Sequence, residues 1–114
     1  MSLFVREYLQ HILDETRYII EHSQGLSQED FVTNETLKRA FLRSLEVMGE
    51  AVKNLPPDFR EKYSTIQWRL IAGMRDRLIH NYFGVDYDIV WDTVIHKVPM
   101  LDREIRRIMI EEDC

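Results

Sequence analysis

Apolar residues recur along the chain at intervals of three and four, the repeat of one face of an α-helix. Val5, Leu9, Ile12, Thr16 and Ile19 mark a first helix, which Gly25 stops. Ser27 followed by Asp30 has the spacing of a short capped turn. A second long helix is predicted over about 36–53, capped by Thr33 or Asn34. Its buried stripe is Leu37, Phe41, Leu45, Met48, Val52 and Leu55. Pro56 and Pro57 end it, because proline lacks the N–H and disfavours helix in the residue before it. Pro57 is placed to open a short helix through Tyr63.

Ser64 and Gln67 have capping-box spacing, predicting a helix through Trp68, Ile71, Met74 and Leu78 to about Tyr82. Gly84 supplies a left-handed stop, and Asp86 caps a last helix. That helix carries Trp91, Val94, Val98, Leu101, Ile105 and Ile108, with Pro99 expected to kink it. No strand alternation is visible. Three long and two or three short helices with short connections predict an all-α antiparallel helical bundle, a single domain over 1–114.

Composition narrows the function classes. The chain has 114 residues, 45% hydrophobic and 31% charged, so it can close one core. No apolar run approaches the ~20 residues of a transmembrane helix, and the start has no signal-peptide pattern. Cys114 is the only cysteine, which excludes an internal disulfide and a cysteine metal cluster. A cytoplasmic protein is expected. The net charge of −5 supplies no global attraction to nucleic acid, so any RNA binding must use a local basic patch. The 15 basic residues are mostly arginine, which makes bidentate contacts to phosphate.

The chain has no glycine-rich phosphate loop, and its four histidines lack metal-ligand spacing. The tryptophans and methionines at helical spacing read as core. Arg103, Arg106 and Arg107, followed by Glu111, Glu112 and Asp113, read as a solvated helix end. The segment from Gly73 to Gly84 is different. It places Arg75, Asp76, Arg77, His80 and Tyr82 within eight residues. On a continuous helix Asp76 and His80 would share a face, and the carboxylate would orient the imidazole. Arg75 would stand about 140° from His80, within reach of its long side chain if the last turn is distorted. A guanidinium, an imidazole and a phenol around one pocket suit a phosphodiester. The bland reading is a histidine capping a helix end beside surface salt bridges.

Arg75-Asp76-x-x-x-His80 resembles the Arg-x4-His motif of HEPN domains, and its extension to Tyr82 is similar to the HepT-like branch. These are small helical toxins encoded beside a minimal nucleotidyltransferase antitoxin. The blocks Arg43–Pro56, Trp68–Arg75 and Tyr82–Asp86 also match that branch, so the likeness spans nearly the whole chain. The resemblance implies a homodimer in which two Arg-His pairs face one cleft and form a metal-independent endoribonuclease with no cofactor. His80 would act as general acid and base, and Arg75 would hold the scissile phosphate. The 2′-hydroxyl would attack, leaving a 2′,3′-cyclic phosphate and sparing DNA. Asp76 would support the site, at a position where the branch often has Asn. Tyr82 would be the tyrosine that the nucleotidyltransferase partner modifies with AMP. The RNA would be tRNA or mRNA.

Over 60–80 the formal charge is five basic against two acidic residues, with Arg69 and Arg77 as basic neighbours of the motif. Gly49 is expected to let a neighbouring helix approach, and Arg43 with Glu46 to form a buried ion pair. The competing reading is a non-catalytic helical partner that binds a nucleotide or docks a nucleotidyltransferase through Arg75 and His80. A plain helical dimerisation module is a third.

Overall fold

The computed structural model describes residues 1–80 and 84–113; for Arg75, Leu78, Ile79 and His80 the backbone alone is described. Three long helices form the frame: α1 (Leu3–Ser23), α3 (Glu35–Lys53) and α8 (Val98–Asp113). Short elements lie between them: α2 (Gln28–Val32), α4 (Pro57–Lys62), α5 (Trp68–Ala72), α6 (Met74–Leu78) and α7 (Tyr87–Asp92). The architecture is the expected all-α antiparallel bundle. Contacts of side chains far apart in sequence give the directions. Glu15 meets Ser44 and Tyr18 meets Phe41, so α1 and α3 run antiparallel. Thr16 meets Asp102 and Arg6 meets Asp113, so α1 and α8 do too.

The core follows the apolar spacing. Leu9, Ile12 and Ile19 of α1, Phe41, Leu45, Met48 and Val52 of α3, and Ile105 of α8 are completely buried. Burying each such side chain contributes about 1.5–3 kcal/mol. Phe31 of α2 is sealed between Phe41 and Trp91, stacked at centroid distances of 5.5 and 5.4 Å. One buried polar pair crosses the bundle: the Thr16 hydroxyl donates to Asp102 at 2.7 Å, and Arg106 Nε donates to the same carboxylate at 2.8 Å.

Caps explain most of the boundaries. Ser27 and Asp30 form a reciprocal capping box, Asn34 caps α3, and Asp86 accepts from the backbone of Asp88 and Ile89 to start α7. Gly25 and Gly84 adopt the left-handed φ that stops demand, +71° and +84°.

Three expectations are corrected. The Ser64–Gln67 box does not form; Gln67 itself precedes α5 with no side-chain cap, because a turn fills 63–66. The motif helix breaks after Ala72 and ends at Leu78 instead of reaching Tyr82. Ile79–His80 (β1) then pairs antiparallel with Gly84–Val85 (β2), a two-residue ribbon that short-range periodicity does not reveal. The last helix runs without interruption from Tyr87 to Asp113, with a disturbance just ahead of Pro99. Thr93–Lys97 forms a π-helical segment between α7 and α8, with Val98 N–H bonded to Thr93 carbonyl. Pro99 is the cause: it has no N–H for the carbonyl four residues back, and its ring crowds that oxygen. The wider turn relieves both.

Candidate functional site

The site segment is built on three anchors. The first is Trp68, which is buried and whose Nε1 donates to the carbonyls of Arg60 and Tyr63, both at 3.1 Å. One indole N–H thus ties the start of α5 to the end of α4. That end is itself fastened to α8: Glu112 accepts from Lys62 Nζ at 2.7 Å and from the Tyr63 hydroxyl. The bond from Lys62, then that from Tyr63, holds the Glu112 carboxyl below the usual carboxylate range.

The second anchor is Gly49. A Cβ there would stand 3.1 Å from the carbonyl oxygen of Ile71 and 3.4 Å from that of Ala72. The close approach expected of Gly49 is therefore present, and it seats the end of α5 on α3. The third anchor is Met74, buried at the start of α6. Between them Gly73 closes α5, its N–H bonded to the Arg69 carbonyl at 3.0 Å.

Arg75 follows one residue after Met74, in α6, and His80 ends β1, where it pairs with Gly84. Helix and ribbon therefore meet between the two motif residues. The helical-face argument relating Asp76 to His80 does not carry, since the backbone leaves the helix at Leu78. Asp76 is exposed. Tyr82, and the side chains of Arg75 and His80, lie outside the described residues. Arg69 and Arg77 are exposed. The expected buried ion pair is absent in that form: Arg43 meets Glu46 at 3.6 Å, but the arginine side chain is 75% exposed.

A cleft of about 580 Å³ lies elsewhere, between the turn after α4 and α8, lined by Tyr63, Ser64, Thr65, Arg107 and Ile108 among others. None of its lining belongs to the motif. Among the described residues no three His, Cys, Asp or Glu side chains gather as metal ligands. No described helix is long and apolar enough to cross a membrane. The indole clamp of Trp68 was not read from the sequence; its only signal was a tryptophan just after a polar turn.

Residues 12–108 match the family "Ribonuclease HepT-like". The protein named "Putative RNase" in Caldanaerobacter subterraneus subsp. tengcongensis is 54% identical over 94% of this chain and 96% of its own. A protein of the same name in Methanocaldococcus jannaschii is 46% identical over 92% of this chain and 87% of its own. "Probable ribonuclease HepT" of Thermococcus cleftensis is 39% identical over 90% and 94%. No solved structure matches. An all-α bundle carrying an Arg-x4-His segment at a helix-to-ribbon junction is a HEPN-type domain. The chain belongs to the HepT-like ribonuclease family.

Proposed function

We propose that this chain is the toxin of a toxin–antitoxin pair, a metal-independent endoribonuclease that works as a homodimer through Arg75 and His80. Membership of a ribonuclease family across residues 12–108 carries the reading. The three anchors around the motif support it, since catalytic groups need a rigid mount.

In the proposed reaction the ribose 2′-oxygen attacks the adjacent phosphorus and the bond to the 5′-oxygen breaks. One imidazole takes the 2′-hydroxyl proton, and a second protonates the leaving 5′-oxygen. One chain supplies a single motif histidine, so a twofold dimer, with two copies at one cleft, completes the acid–base pair. Arg75 holds the phosphate and offsets the charge that grows on its non-bridging oxygens. The products are a 2′,3′-cyclic phosphate and a free 5′-hydroxyl. DNA, which lacks the nucleophile, is not cut. Asp76 supports the segment from the flank of α6.

A minimal nucleotidyltransferase partner would silence the enzyme by transferring AMP from ATP to the hydroxyl oxygen of Tyr82, two residues beyond His80, with pyrophosphate leaving and the phenolic proton released. The added phosphate repels RNA and its bulk obstructs entry.

The test is cleavage of total RNA and tRNA by purified protein with EDTA present, wild type beside His80→Ala. The wild type should cut and leave cyclic phosphate ends, and the variant should lose at least about 100-fold in rate while keeping its fold. Equal cutting by His80→Ala would refute the assignment. Tyr82→Phe should still cut RNA and lose AMP incorporation from the partner.

A further inference from the structure

The motif helix presents a second feature on its outer side. Backbone hydrogen bonding continues across the break between α5 and α6: Gly73 N–H bonds to the Arg69 carbonyl at 3.0 Å, and Arg77 N–H to the Gly73 carbonyl at 3.2 Å. Arg69, Gly73 and Arg77 are thus successive members of one i, i+4 ridge. The opposite side of the same turns is the anchored one, because Trp68, Ile71 and Met74 are buried. Arg69 and Arg77 are both exposed, and neither makes an ion pair or side-chain hydrogen bond with another described residue. Arg6, Arg43, Arg106 and Arg107 pair with carboxylates; Arg17, Arg39 and Arg103 are exposed and unpaired among the described residues as well, but they sit singly on α1, α3 and α8.

We propose that Arg69 and Arg77 bind the phosphates of one unpaired RNA strand, which crosses the bare backbone of Gly73 between them. The proposal rests on the RNA-cleaving reading above and names its substrate class as single-stranded RNA. Eight residues at about 1.5 Å each separate the two guanidinium attachment points by about 12 Å. Gly73 has no side chain to hold the strand away from the helix. Arg75, two residues from Gly73, stands about 200° round an ideal helix from it, so the ridge is a flanking track that the strand follows before it turns to the motif. Asp76 flanks the ridge, but two guanidinium groups against one carboxylate leave it positive. This is the local basic surface that an acidic chain needs for RNA.

The experiment uses an uncleavable 2′-O-methyl single-stranded RNA and the full chain, comparing wild type with the Arg69→Gln/Arg77→Gln double variant. The dissociation constant is measured across salt concentrations. Two lost phosphate contacts should lower the log–log salt slope by about 1.4, at about 0.7 per contact. Affinity should fall about tenfold. On cleavable RNA the variant should show a raised KM with kcat kept, the pattern of lost uniform binding. Arg69→Lys/Arg77→Lys should restore the slope, because it restores the charges. An unchanged slope in the glutamine variant, or no binding of single-stranded RNA by the wild type, overturns the proposal. So does an equal weakening of the protomer–protomer association. If the wild type binds this RNA with the expected slope but cuts none, the cleavage reading fails and the ridge stands.

Discussion

Gly49 of α3 touches the backbone of Ile71 in α5, so closely that a Cβ at position 49 would sit 3.1 Å from the Ile71 carbonyl oxygen. The neighbour is main chain, and it cannot swing aside as a flexible side-chain tip could. Four residues further on stands Arg75. The seat of α5 on α3 therefore sets where the motif begins.

Gly49→Ala tests this seat. In an open helix the change would stabilise by about 1 kcal/mol through propensity. Here the added methyl must push α5 outward, so no gain in stability is expected, and RNA cleavage should drop with the fold retained. Melting temperature and cleavage rate measured on one preparation decide it. A more stable variant with undiminished cleavage would show that the contact does not govern the site.

Trp68→Phe keeps the buried ring and removes the N–H shared by the carbonyls of Arg60 and Tyr63. Leaving those acceptors without their donor should cost about 1–3 kcal/mol. The urea midpoint reports the loss. Amide exchange should quicken between residues 60 and 68, and stay unchanged in α1.

Asp102 gives the fold a pH dependence of definite sign. Burial pushes its carboxyl up, but the hydrogen bonds from Arg106 and Thr16, with the charges of Arg106 and Arg17, outweigh burial. Its folded value lies below the ordinary one, so the unfolded chain binds the proton more readily. The stabilisation is complete above the ordinary carboxylate range near pH 4 and disappears as pH falls through the lowered value. Asp102→Asn should therefore cost about 1–3 kcal/mol at pH 7, with the gap to wild type closing in acid. Urea titrations from pH 7 down to pH 2 trace it. A gap that is constant with pH would remove the carboxylate's charge as the cause.

The long helices were legible because their causes are local. Leu37 to Leu55 recurs at helical spacing, and Asn34 and Asp86 cap the helices they precede. Gly49 was legible as a close approach, though not which backbone it would meet. The Ser64–Gln67 spacing misled because a capping box needs a helix to begin at once, and here a turn intervenes. The end of the motif helix was set by a tertiary fact, the pairing of Ile79–His80 with Gly84–Val85, which no helical period contains. Pro99 announced a disturbance; its form, a widened turn at Thr93–Lys97, is one of several ways a helix accommodates proline. Of the site, Arg75 and His80 were legible as a string of residue types. Their mount was not, since Trp68 and Gly49 act through carbonyls that sequence leaves unplaced.

The Arg6–Asp113 pair holds the first turn of α1 beside the last turn of α8. The start of α1 and the end of α8 therefore lie at one pole of the bundle. A short flexible linker could join them, and the chain could be reopened at Gly25, an exposed left-handed turn with open space around it. Such a circular permutant would bring α2 to the front and α1 to the back of the sequence while every helix kept its neighbours. The order in which the helices are made is separable from the arrangement in which they pack.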